Sequence, residues 1–116
     1  MKIVVAGTIA IDPDRREAAL DAARPHIDGA LAQAGCEAYS WTADPAAPGR
    51  VAVFECWTRE ADLAAHFAGP HYAAMLRTLG RHGLRGAEVS KYRVDLCEAV
   101  YDSNGQPRAD FFSAGE

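Results

Sequence analysis

The stretch from Ile3 to Ile11 carries six β-branched residues, Ile3, Val4, Val5, Thr8, Ile9 and Ile11, and stops abruptly at Asp12-Pro13-Asp14. β-Branched side chains are stiff at χ1 and fit a pleated surface, so the run predicts a buried strand. Asp12 offers an N-cap oxygen and Pro13 a ring pre-set for a first helical turn, so a long helix is expected where the strand ends. The same run is the segment most like an export signal. One lysine precedes it, no small-residue cleavage site follows, and it falls well short of the roughly 20 apolar residues that cross a bilayer. A soluble chain without a membrane partner is expected.

In the helix that follows, Leu20, Ala23, Ile27, Ala30, Leu31 and Ala34 recur at helical spacing, Pro25 predicts a kink and Gly35 an end. Cys36 to Ala43 alternates, with Tyr39 and Trp41 on one face. Turn residues from Asp44-Pro45 to Pro48-Gly49 then lead into a strand from Val51 to Trp57, which makes a hairpin. Thr58 is the expected cap of a second helix bearing Leu63, His66 and Phe67 on one side. Gly69-Pro70 bends the chain into a further helical segment with Tyr72, Met75, Leu76 and Leu79 on one stripe. Gly80, Gly83 and Gly86 loosen the chain before a fourth strand over about Ala87 to Leu96, with Tyr92, Val94 and Leu96 sharing a face. The order β-α-β-β-α-β predicts an α+β, ferredoxin-like domain whose antiparallel sheet carries its helices on one face.

At 116 residues the chain has room for one such domain. It is expected over residues 1–97, with residues 98–116 a β-hairpin arm in which Ala99 to Asp102 and Ala109 to Phe112 flank the turn Ser103-Asn104-Gly105. A lone hairpin is marginal in water, so the arm should dock on its own sheet or on a partner. The helix-free sheet face also asks for a partner, because Val51 to Phe54 is apolar on both faces. A second copy of the chain, giving a homodimer, is the expected cover. The net charge of -4 excludes a nucleic-acid footprint, which needs an excess of Lys and Arg. Cys36, Cys56 and Cys97 are odd in number and lack a CxxC pair, so neither a disulfide framework nor a zinc site is expected, and a cytoplasmic location fits.

Phe54-Glu55-Cys56-Trp57, then His66, then Gly69-Pro70-His71-Tyr72 resemble the E-x-W…H…PH pattern of the antibiotic biosynthesis monooxygenase family. Gly35-Cys36, Tyr39 and Pro48-Gly49-Arg50 extend the resemblance, which covers about residues 3–97. It implies a dimeric α/β barrel. The fold hosts several chemistries, so the resemblance is weaker evidence for a reaction than for a fold. The haem-degrading branch is similar in fold but uses an Asn, a Trp and a His where this chain has Gly7, His66 and Leu76. The polyketide-oxygenase branch keeps a Trp at Trp57, but its Asn falls at Val53 and its helical Tyr near Leu63. The quinol-oxidising branch shares Glu55, Trp57, His66, Pro70 and His71. A branch that isomerises a phosphorylated sugar shares Glu55, His66 and Pro70-His71-Tyr72 and lacks the Trp. Trp57 therefore favours an aromatic substrate.

Each of these residues has a plainer role to weigh. Glu55, inside an apolar strand, is either functional or tied up in a structural pair, since an isolated buried carboxylate is costly. Trp57 shares its face and is a substrate clamp or a core filler. His66 lies among apolar neighbours, as a core histidine or a group facing a cavity. His71, in the first turn after Pro70, is a neutral base favoured by the helix dipole or a surface residue. Glu55, His66 and His71 as a two-histidine, one-carboxylate metal site need the Gly69 bend to bring them together; no metal is expected. Tyr39 and Tyr92 are possible pocket walls, and His26 and His82 read as surface residues.

The expected activity is cofactor-independent monooxygenation of a small quinol or phenol by O2. His66 is the favoured base and His71 the alternative, with Glu55 orienting a histidine and fixing its tautomer. Trp57, Tyr72 and Phe67 are the expected substrate-binding residues. The competitors are an isomerase of a small phosphorylated hydroxyketone, which would want Lys91 or Arg93 near the pocket, and a non-catalytic dimeric binding or stress protein.

Overall fold

The computed structural model describes residues 1–113. Its elements are β1 (Lys2–Ile11), a 3-10 turn (Pro13–Arg15), α1 (Arg16–Leu31), β2 (Cys36–Ala43), β3 (Arg50–Trp57), α2 (Glu60–Ala68), α3 (Pro70–Arg81) and β4 (Leu84–Val94). The strands form one antiparallel sheet in the order β2-β3-β1-β4. This is the ferredoxin-like arrangement, with the second helical layer bent into α2 and α3 at Gly69 as the sequence predicts.

The two-residue period of β1 and β3 decides what lies where. Ile3, Val5, Ile9 and Ile11 of β1 and Val51, Val53, Glu55 and Trp57 of β3 are buried beneath the helices. α1 approaches closely because its buried positions are alanines, Ala19, Ala23 and Ala30, all fully covered. Leu31, expected on that stripe, is exposed instead, because Ala30 takes the core-facing position in the last turn and the next residue turns away from it.

Several boundaries differ from expectation for local reasons. Asp12 does act as a cap, its carboxylate accepting from the Asp14 N–H at 3.0 Å, but it starts a single 3-10 turn, and α1 begins only at Arg16 and runs on through Pro25. Thr58 does not cap α2: its hydroxyl donates to Glu37 at 3.1 Å, and Arg59 occupies the cap position. Of the three loosening glycines, only Gly83, at φ +81°, makes the turn; Gly80 is helical, and Gly86 is within β4, which starts three residues before its expected place. Gly35 adopts φ +78°, and a Cβ there would lie 2.1 Å from the Asp62 carboxylate, so the turn into β2 needs both the backbone freedom and the space.

Past β4, the Ser103-Asn104-Gly105 turn forms, with Asp102 accepting from the Asn104 and Gln106 N–H groups. It is closed by one bridge, Tyr101 with Pro107, rather than by two strands of the expected length. Glu98 gathers the end of the described chain by accepting from the N–H groups of Phe112 and Ser113 at 2.9 and 3.0 Å.

Candidate functional site

Between the helix-side face of the sheet and the α2–α3 layer lies a cavity of about 300 Å³. The sheet supplies its floor through Val5, Val53 and Glu55, and Trp41 of β2 closes one side. Phe67, Tyr72 and Leu76 descend from the helices, while Val89, Ser90 and Lys91 of β4 form the open edge. A broader hollow of about 730 Å³ opens at the other end of the sheet around Ala10, Gly49 and Gly86. Small residues line most of it, with Arg50 and Glu88 among them, and none of the candidate residues reaches it, whereas Glu55, Phe67 and Tyr72 line the smaller cavity.

Glu55 is the acid of that cavity. The register pairs Val5 with Glu55 on one side and with Lys91 on the other, so these three side chains form one row across β3, β1 and β4. Glu55 is only 5% exposed. Burial pushes its carboxyl above the usual carboxylate range, while the Trp57 indole N–H, donating to Oε1 at 3.1 Å, pulls the other way. Trp41 opposes the rise too. Its Nε1 is buried with no partner at hydrogen-bonding geometry among the described residues, so it acts on Glu55 as a nearby dipole rather than as a formed bond.

The sequence expected one pocket to hold Glu55, Trp57, His66 and His71. Glu55, Phe67 and Tyr72 do line the cavity, and the other three residues stand outside its wall. Trp57 is fully buried behind Glu55, with its indole N–H directed at the carboxyl. His66 is also buried, at the centre of an aromatic cluster: its ring lies 4.7 Å from Trp57, 5.4 Å from Tyr39 and 5.9 Å from both Phe67 and Tyr72. Its Nδ1–H donates to Gln33 Oε1 at 2.7 Å, so Gln33 of the loop after α1, and not Glu55, fixes its tautomer. Burial, followed by the nearby His71, lowers the His66 pKa and keeps the ring neutral.

His71 turns toward α1, where a Cβ on Gly29 would fall 2.2 Å from its Cε1. Glu55, His66 and His71 do not come together as ligands; among the described residues no group of three or more His, Cys, Asp or Glu side chains is placed to hold a metal ion. Tyr39 is buried beside His66, its hydroxyl pKa raised by burial and then by Glu55, and Tyr92 lies on the opposite, helix-free face opposite Val4. His26 and His82 are half-buried rather than superficial, both engaging Thr78, through its hydroxyl at 2.9 Å and its carbonyl at 2.7 Å.

Trp41 and Gln33 are the residues that sequence reasoning passed over. Trp41 was detectable in principle: the β2–β3 register sets Tyr39 opposite Glu55 and Trp41 opposite Val53, which places its indole on the floor's edge. Gln33 carried no signal, since it is a polar residue at the end of a helix.

Comparison with known proteins agrees with this architecture. A family model described as antibiotic biosynthesis monooxygenase matches residues 2–78. The uncharacterised protein sll1783 of Synechocystis is 28% identical over 92 residues, covering 79% of this chain; the match spans 63% of that relative's length. Among solved structures, a conserved protein of Methanosarcina mazei superposes with a TM-score of 0.73 at 20% identity, over 80% of this chain and 92% of its own. Rv0793 of Mycobacterium tuberculosis gives 0.72 at 24% identity, over 85% and 99%. A protein of Deinococcus radiodurans, provisionally called an antibiotic biosynthesis monooxygenase, gives 0.77 at 15% identity, over 86% and 99%. At these identities the structural likeness speaks for the fold.

Proposed function

The chain belongs to the antibiotic biosynthesis monooxygenase family, and on that premise we propose that it oxidises a small phenol or quinol with O2, using the substrate's own electrons. The observation that carries the reading is the buried carboxyl of Glu55, with a raised pKa, on the floor of an aromatic-walled cavity. A neutral phenol reacts slowly with O2; its anion is a far better electron donor. Glu55 takes the hydroxyl proton, and a carboxyl with a raised pKa is a stronger base for that task. The anion passes electrons to O2, one oxygen atom becomes a ring carbonyl in place of a C–H, and the other leaves as water. Phe67, Tyr72 and Trp41 hold the ring and keep solvent from the charged species.

In this reading His66 is a positioning residue. Its neutral ring packs on Trp57, and Trp57 holds Glu55. A second copy of the chain covers the helix-free face, where Phe54 and Tyr92 are 46% and 54% exposed. The room at Gly7 weighs against the haem-degrading branch, because any Cβ there would meet the Glu88 carbonyl at 2.1 Å. The isomerase reading keeps one observation in its favour: Lys91, a cation suited to a phosphate, lines the cavity.

The test is oxygen uptake by purified protein with a panel of hydroquinones, with the product quinone and its incorporated oxygen followed by mass spectrometry using labelled O2. Turnover with one labelled oxygen per product supports the proposal. No uptake with any quinol, together with enolisation of a phosphorylated hydroxyketone, transfers the site to the isomerase reading.

A further inference from the structure

We propose that the cavity selects aromatic hydroxy acids, with Lys91 reading the acid group and Glu55 the hydroxyl. The inference rests on the aromatic-substrate reading above and adds the charge its ligand must carry. Its basis is the row Glu55–Val5–Lys91 across β3, β1 and β4, which puts an acid and a cation on one face with an apolar residue between them. Neighbouring antiparallel strands lie about 4.8 Å apart, so the two backbones stand about 9.6 Å from each other across the cavity floor. A single ring substituted at opposite ends fits that separation once both side chains lean inward, and a volume of about 300 Å³ suits a ligand of this size.

The two ends differ in the charge they accept. Glu55 is buried and shielded, so a ligand carboxylate beside it would be desolvated next to a second carboxyl, while a hydroxyl can donate to it. Lys91 is exposed at the open edge, and among the described residues it enters no salt bridge. Arg93, two residues on and on the same face of β4, adds positive charge beyond the rim. Val5 lies beneath the ring between the two ends. A ligand is therefore polarised in one direction, hydroxyl inward and anion outward.

Equilibrium binding under anaerobic conditions, read from the fluorescence of Trp41 and Trp57, tests this separately from oxidation. The probes are 4-hydroxybenzoate, its neutral isostere 4-hydroxybenzamide, and benzoate, which lacks the hydroxyl. Wild type should prefer 4-hydroxybenzoate over the amide by about fivefold at low salt, the yield of one partly exposed ion pair, and the preference should shrink as salt screens it. Lys91→Met should abolish that preference, and Lys91→Arg should keep it. Equal binding of acid and amide by wild type, a preference that survives Lys91→Met, or tighter binding of dihydroxyacetone phosphate than of 4-hydroxybenzoate would each overturn the inference. A Lys91-dependent preference in a protein that consumes no oxygen would uphold it while refuting the oxidation reaction.

Discussion

The two faces of the sheet are made from the same strands and have opposite chemistry. On β3, Val51, Val53, Glu55 and Trp57 turn inward and are buried, while Ala52, Phe54 and Cys56 turn outward, with Phe54 nearly half exposed. The inward face carries one acid in an apolar setting, which costs stability and is kept in place by an indole N–H. The middle of the outward face of the central strands, Val4, Ala6, Phe54 and Cys56, carries no charge, and the charged residues Lys2 and Arg50 stand only at its two ends. A buried charge that an apolar residue could replace points to chemistry, and an uncharged exposed face points to association.

The sharpest way to break this comparison is to neutralise the acid without changing its shape. Glu55→Gln retains a carbonyl oxygen for the Trp57 N–H and removes the proton acceptor, so quinol turnover should fall by about 100- to 10,000-fold with the fold intact. Circular dichroism and oxygen uptake on the same sample check it, and unchanged turnover would move the base elsewhere. The corresponding change on the outer face is Phe54→Asp. It should leave the monomer folded and weaken self-association by about a hundredfold, since each copy would bury a carboxylate without a partner. Light scattering across a dilution series measures this; a wild-type chain that is monomeric at micromolar concentration would remove the association half of the comparison.

Much of this architecture was legible from the residues. The apolar periods of β1, α3 and the β2–β3 hairpin located those elements because burial enforces them, and the Gly69-Pro70 break located the bend because proline cannot continue the preceding helix. The site was legible in part. Glu55 stood out as an acid in an apolar strand, and Phe67 and Tyr72 reach the cavity. The burial of His66 was legible from its apolar neighbours, but the direction of His71 was not, because it depends on how closely α1 approaches, and that is set by Ala19, Ala23, Ala30 and Gly29 on a different helix. Thr58 as a cap failed for a similar reason: a distant residue, Glu37, competes for its hydroxyl.

The inward face also predicts two opposing pH dependences of stability. Glu55 has a raised folded pKa, so its contribution is full below the unfolded value near 4.5 and is lost as pH rises through the folded value. His66 has a lowered folded pKa, so its contribution is full above the unfolded value near 6.5 and is lost as pH falls through the folded value. Urea unfolding of wild type and Glu55→Gln at pH 4, 6 and 8 should show the variant gaining relative to wild type as pH rises. A constant difference across the series would mean that the Glu55 carboxyl is not perturbed by burial.

The smallest expected effect separates the two histidines. His71 stands outside the cavity and against Gly29 of α1, and it touches His66 only through the charge it can carry. Replacing it with Ala removes neither a cavity wall nor a hydrogen bond to Glu55, so quinol turnover should change by less than about twofold, within what a surface substitution ordinarily does. His66→Ala is different, because the ring is 1% exposed and packs on Trp57. Its loss leaves a void behind the residue that holds Glu55, which should lower the unfolding free energy by about 2 kcal/mol or more and broaden the pH profile of turnover as the carboxyl loses its fixed setting. His66→Gln, which can still meet Gln33, should recover part of the stability. If instead His71→Ala abolishes turnover and His66→Ala leaves it intact, α3 must swing His71 into the cavity when substrate binds, and the division between a buried, catalytic face and its supporting layer would have to be redrawn around that motion.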